Sequence, residues 1–127
     1  MADGFTLDLS EFEELSVSIG RASKALIDEE RKVVAKAALN IKNQTRENIS
    51  DHPTWKRLAH TVNYDLVGLS AIVGYDDVGQ GELAGIAEFG SVRHAPHPAL
   101  LPAARDELPR FEKATLDAAA KAIGDAL

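Results

Sequence analysis

The chain has 127 residues, of which 45% are hydrophobic and 27% charged, with a formal net charge of −6 and no cysteine. This length suits a single domain over residues 1–127, with a core large enough to need no covalent staple. Without a thiol there is no disulfide, no thiol catalysis and no Cys-based zinc site. The acidic balance argues against general affinity for nucleic-acid backbone, which needs clustered Lys and Arg.

Residues 1–9 carry no basic lead and no long apolar run. They read as an extended N-terminal arm rather than a signal peptide or anchor. No stretch approaches the roughly 20 apolar residues that span a bilayer, so no membrane contact is expected. Ser10 and Glu13 have capping-box spacing. Phe12, Leu15 and Ile19 then recur at helical intervals, with Gly20 as the expected break. A second helix is expected through Ile27, Val34, Ala38, Ile41 and Ile49. It would run about 23 residues, or about 35 Å, and end at Asp51-His52-Pro53.

The next zone is β-like. Leu58–Leu66, with Thr61, Val62 and Tyr64, favours a strand. Val67-Gly68-Leu69 suits a turn, and Ser70–Tyr75 suits a partner strand, which together make a hairpin. Residues 76–82, with Asp76, Asp77, Gly79 and Gly81, read as a mobile acidic loop. Leu83–Phe89 is short and apolar, and periodicity leaves it open between a third strand and a helical turn.

From Gly90 the chain reads as loop to Pro98. Pro102 fits the first turn of a helix, and Pro109 is expected to kink or restart it. Leu116, Ala119, Ala120, Ile123 and Leu127 follow an i, i+3, i+4, i+7 pattern opposite Lys113, Asp117, Lys121 and Asp125. The order gives an α+β fold: a small antiparallel sheet, made of the hairpin and a short third element, packed by a long N-terminal helix and an amphipathic C-terminal helix. The edges of such a sheet are pairing templates for a neighbour.

The usual signatures of chemistry are missing. His94 and His97 lie near Glu88 in sequence, but Pro96 and Pro98 make the segment a loop, so a solvated turn is a simpler reading than a metal site. Asp76, Asp77 and Glu82 lack the alternating order of a calcium loop. There is no Gly-x-Ser-x-Gly elbow, no dinucleotide Gly-x-Gly-x-x-Gly and no phosphate-binding Gly-Lys-Ser/Thr. Glu88 sits between apolar residues, where burial can raise a carboxyl pKa, yet no acid or base adjoins it. No catalytic, cofactor or metal residue is assigned. Trp55, before Lys56 and Arg57, could stack on nucleic acid. It reads more simply as cover for a helix end or as a subunit contact. Asp76, Asp77, Gly79 and Gly81 are further candidate interface residues, since a Gly-rich loop can order on contact.

What remains is Glu88-Phe89-Gly90-Ser91, then a loop, then Pro98-Ala99-Leu100-Leu101-Pro102-Ala103. This pattern, with the order of elements over nearly the whole chain, resembles a family of small tailed-phage proteins known as tail components, neck proteins or head–tail joining proteins. Two departures stand out: Ala99 occupies a position where the family favours an aromatic, and Thr54-Trp55-Lys56-Arg57-Leu58 is a degenerate form of the family's Thr-Gly-x-Leu turn.

The resemblance implies a non-enzymatic virion protein at the head–tail junction, made in the host cytoplasm. It would form a homo-oligomeric ring of on the order of six or twelve copies, and DNA would pass through without sequence-specific binding. Other neck, connector and tail proteins would be its partners. In that setting Phe89 packs, Gly90 turns, and Pro98 and Pro102 aim the last helix. Glu88 caps backbone N–H groups or pairs with Arg93 or Arg105. An acidic channel wall would repel phosphate. The alternatives are a tail-terminator ring capping the tail tube, or a small ligand-binding or regulatory domain with a pocket between sheet and C-terminal helix. A hydrolase using Glu88 with His94 or His97 is the least supported.

Overall fold

The fold is that of a computed structural model, which describes residues 9–76 and 83–126; within 9–20 the described side chains are those of Glu14, Val17 and Ile19. Helix α1 spans Leu9–Ser50, 42 residues, or about 63 Å. It runs straight through Gly20, so the two expected helices are one. A mid-helix glycine costs only about 1 kcal/mol relative to Ala. That is too little to stop a helix propagated from both sides, and a side chain at Gly20 would touch nothing within 4 Å. The side chains of the Ser10–Glu13 capping box lie outside the described residues.

The helix stops before Pro53, and its exit is fixed by His52, whose ring Nδ1 accepts the backbone N–H of Thr54 at 3.0 Å and of Trp55 at 3.1 Å. A 3-10 turn, Lys56–Thr61, follows. The strand expected from Leu58 therefore starts later, because Leu58 and Thr61, three apart, are both buried on one side of that turn. The Thr61 hydroxyl donates to the Leu58 carbonyl at 2.8 Å.

Strands β1 (Val62–Val67) and β2 (Ser70–Tyr75) pair antiparallel, with Val62 opposite Tyr75 and Val67 opposite Ser70. Gly68, φ +59°, takes the first turn position, where tight hairpins of the II′ kind need glycine. Arg46 ties the hairpin to α1 through its Nη2, which donates to the Val62 carbonyl at 2.7 Å.

The third element is helical. Helix α2 spans Ala84–Phe89, so among the described residues the sheet has two strands. Residues 77–82, including Asp77, Gly79 and Gly81, lie outside the described residues, while Asp76 is exposed.

Helix α3 spans Leu100–Ala126 and continues through Pro109, so the expected restart there does not occur. Proline leaves the carbonyl four residues back without its helical donor. Arg105 and Pro109 both lie on the exposed side, where water can supply that donor.

Helix α3 packs antiparallel on α1. Asn40 meets Glu107, and Glu30 meets Thr115. The seam is made of small residues: Val34, Ala37 and Ala38 on α1, and Ala103, Ala118 and Ala122 on α3, are buried. The expected apolar face of α3 is therefore turned outward, with Leu116 70% and Ile123 52% exposed. Alanines let the two helices approach closely, and the larger aliphatics point away. On α1 the expected face is largely the buried one, since Val34, Ala38 and Ile49 are buried, although Ile27 is exposed. A second core, of Ile49, Trp55, Leu58, Ala87 and Ala99, joins the end of α1 to α2 and to the start of α3.

Candidate functional site

The chain enters α3 through Ala99-Leu100-Leu101-Pro102, which contains no Ser, Thr, Asp or Asn to cap the helix locally. A helix start leaves up to four backbone N–H groups without partners. Glu88, on α2 and only 7% exposed, supplies the missing acceptor. Its Oε1 accepts from the N–H of Leu100 at 2.7 Å, Ala99 at 3.1 Å and Leu101 at 3.4 Å, and its Oε2 accepts from Ala99 at 3.0 Å. Pro102 has no N–H to satisfy. The negative carboxylate also faces the positive end of the α3 dipole. Of the partners open to Glu88 in the sequence, the observed ones are backbone N–H groups rather than Arg93 or Arg105.

Gly90 makes the loop before α3 possible. Its φ of 79° with ψ of 176° is a region almost exclusive to glycine. A Cβ there would lie 2.8 Å from the Pro96 ring and 2.9 Å from the His94 carbonyl oxygen. The loop then folds on itself: the Ser91 N–H donates to the His94 carbonyl at 2.8 Å, and the His97 N–H donates to the Ala87 carbonyl at 2.7 Å.

Asn48 fastens this assembly to α1. Its amide donates to the Ala99 carbonyl at 3.0 Å, and its backbone carbonyl lies 3.2 Å from His97 Nε2. Since a carbonyl only accepts, that ring nitrogen carries the proton.

Aromatic rings cover the end of α1. His52 and His97 have centroids 4.7 Å apart, and His94 meets the Trp55 ring edge-on at 5.3 Å. Trp55 is 5% exposed, so it is core and not the interface residue considered from sequence. Ala99, where a bulkier aromatic was expected, is fully buried in the same cluster as Trp55, which brings aromatic volume to the joint from the same chain. Phe89 is the reverse case. It was expected to pack, but it is 72% exposed, because Ala87 and Glu88 occupy the inward face of the short α2. Pro98 is exposed and Pro102 half-buried.

This chemistry holds the fold. Among the described residues, no group of three or more His, Asp or Glu side chains is arranged to hold a metal ion, and no hydrogen bond joins Glu88 to His94 or His97. Tyr75, packed against the core cluster, has its phenol pushed up to about 12, by burial and then by the charge of Glu88.

A second polar knot lies on the α1–α3 seam. The carboxylate of Glu107, 4% exposed, accepts from the Asn40 amide at 2.9 Å and from Arg110 Nε and Nη2 at 2.9 and 2.7 Å. Further along, Glu29 is held below the usual carboxylate range by its hydrogen bond to Lys32 and by the charge of Lys121.

Between α1, the hairpin and α3 runs an open groove of about 360 Å³, with a wall formed by Val34, Ile41, Leu69, Val73, Leu108 and Phe111. Among the described residues no helix is long and apolar enough to cross a membrane.

Asn48, His52 and Tyr75 were not singled out by the sequence. Their partners lie far along the chain, or depend on a turn whose shape no motif announces. Comparison with family models, curated proteins and solved structures gives no match.

Proposed function

We propose that this protein is a non-enzymatic assembly subunit that forms a ring at the head–tail junction of a tailed phage, through which DNA passes. The observation that carries the assembly reading is the placement of its large apolar residues. On α3, Leu101, Leu108, Leu116 and Ile123 are 41%, 53%, 70% and 52% exposed. Their spacing of seven or eight residues puts them on one side of the helix. Ile72 on the hairpin and Phe89 on α2 are also largely exposed. A row of large exposed apolar side chains along one helix supports an interaction surface. The most buried acids, Glu88 and Glu107, are by contrast occupied in holding helices together.

The head–tail placement rests on the resemblance carried by Glu88-Phe89-Gly90-Ser91 and the Pro98–Ala103 segment, and on an element order of long helix, hairpin, short element and last helix. Its partners are further copies of itself and other neck, connector and tail proteins. DNA is accommodated without sequence readout. A tail-terminator ring would share the architecture and differ in partners.

The test is to tag the chain in a phage-producing host and analyse purified particles. Recovery with portal-side and tail proteins at a fixed ratio is expected. Absence from particles, with no such partner recovered, contradicts the placement.

The apolar lining of the groove favours a second reading, a small ligand-binding domain. Saturable, stoichiometric binding of an apolar dye, lost on Phe111→Glu, would support it over the first.

A further inference from the structure

The hairpin has two outer edges, and they are not alike. Antiparallel pairs alternate between residues that exchange hydrogen bonds and residues whose backbone groups face outward. The Asp76 N–H donates to the Thr61 carbonyl at 2.7 Å, one step beyond the Val62–Tyr75 pair. The outward groups of β2 are therefore those of Ala71, Val73 and Tyr75, and those of β1 belong to Val62, Tyr64 and Leu66. Helix α1 guards the β1 edge: Arg46 occupies the Val62 carbonyl, and the Lys42 ammonium lies 5.6 Å from the centre of the Tyr64 ring. Among the described residues nothing bonds the outward groups of β2. The strand Ser70–Tyr75 also holds no charged residue and no proline, devices that keep an edge strand from pairing.

The groove between α1, the hairpin and α3 runs along this open edge. Ala71 and Val73 form its near wall, and no residue of β1 lines it. Helix α1 makes its floor through Val34 and Ile41, and α3 its far wall through Leu108 and Phe111. Glu107 is the one charged residue in the lining, and its carboxylate is already held by Asn40 and Arg110. Side chains alternate along a strand. Ile72 is 67% exposed on the outer face, so Ala71 and Val73 turn to the groove side. The residues with open backbone groups are thus the ones that line the groove. A strand laid beside β2 would sit about 4.8 Å away, between β2 and α3, with every second side chain over the apolar floor.

We propose that β2 is a strand-addition site, which accepts an extended segment of a partner protein, apolar at alternate positions, as a third strand between β2 and α3. Backbone bonds to Ala71, Val73 and Tyr75 supply affinity, and the groove selects the side chains. A second copy's β2, paired antiparallel through these same groups, would place both α1 helices on one face of the joined sheet, where α3 already stands. A single extended segment meets no such obstacle. The proposal rests on the assembly reading and gives the chemistry of one partner contact.

The test uses the intact chain and a blocked, fluorescent peptide of about ten residues, long enough to span β2, in which Val and Thr alternate between terminal lysines. Saturable one-to-one binding, read by fluorescence anisotropy, is expected. Two analogues, N-methylated at the Val or at the Thr residues, keep every side chain, and each blocks one edge of the peptide. One analogue is expected to bind at least ~tenfold more weakly, as two or more backbone bonds are lost, and the other to bind as the parent does. Val73→Pro, whose missing N–H serves no ladder bond, is expected to melt near wild type and to lose binding. Leu66→Pro, on the guarded edge, is expected to keep it. The analogues need no variant to fold. A parent peptide that does not bind, or analogues that bind alike, overturns strand addition, and a chain that still enters phage particles then leaves the assembly reading standing. Binding as expected by a chain that enters no particle keeps the site and overturns the placement. Oligomers of the chain that the peptide dissociates assign the edge to a second copy and overturn a separate partner.

Discussion

The Glu88 carboxylate sits 2.7 Å from the backbone N–H of Leu100, twelve residues further along the chain, and so caps a helix that has no capping residue of its own. The contact welds α2 to α3, and with Asn48 to α1, in one joint. Removing the carboxylate leaves three N–H groups at the start of α3 without their acceptor. Glu88→Ala is expected to cost about 2–3 kcal/mol, a lost cap together with a lost charged hydrogen bond. Glu88→Gln, which keeps one acceptor oxygen, should lose roughly half of that. Urea denaturation of both variants measures the difference, and two midpoints equal to wild type would remove Glu88 from the joint.

Among the described residues, the two glycines with positive φ make a paired comparison. Gly90 is cramped by Pro96 and His94, while Gly68 has open space around it. Gly68→Ala meets the penalty of a positive-φ turn position without a steric clash, about 1–2 kcal/mol. Gly90→Ala meets an almost glycine-only conformation and a steric clash, and should cost at least ~2–3 kcal/mol. Thermal melts of the two variants should show the larger loss at Gly90.

Trp55 and Phe89 should behave oppositely to one another. Trp55→Ala empties a core site and is expected to cost about 3–5 kcal/mol. Phe89→Ala removes an exposed ring and should change stability by no more than ~0.5 kcal/mol, while weakening self-association. Because Trp55 is the only tryptophan, its fluorescence reports unfolding of the joint directly. A Phe89→Ala melting temperature far below wild type would contradict this assignment.

Tyr75 gives a pH dependence with a definite sign. Its phenol ionises near 10 in an unfolded chain and at about 12 in the fold. The folded state therefore holds this proton where the unfolded state releases it. The associated stability is fully present below pH 10 and is lost as pH rises towards 12. Tyr75→Phe should flatten this alkaline loss, read as the pH dependence of the urea midpoint. An unchanged slope in the variant would show that Tyr75 is not its source.

Some of this was legible in the sequence because it depended on near neighbours. The second strand, the glycine turn at Gly68 and the helix stop before Pro53 are local, and each lies where residue type predicts. The α+β class followed from the order of such segments. The errors have a shared origin in tertiary packing. Gly20 and Pro109 looked like breaks, but a long helix supported by its partner tolerates one weak residue. The periodic leucines of α3 looked like its core face, but the helix packs through Ala103, Ala118 and Ala122, whose small size makes a faint pattern. The Glu88-Phe89-Gly90 segment was recognisable as a joint, yet the roles of its residues depended on which way a six-residue helix turns, and that sends Glu88 inward and Phe89 out. Asn48 acts through Ala99, a partner set by the closed fold, and His52 through a local turn that no motif announces.

The measurement that bears most directly on the central claim is the native mass of the purified chain across a concentration series, with particles imaged at the highest concentration. A subunit of a ring is expected to reach one discrete multiple of the 13.6 kDa chain mass, with a closed outline and a central opening. A species that stays at one chain mass at every concentration, alone and with phage connector and tail proteins, would contradict the account.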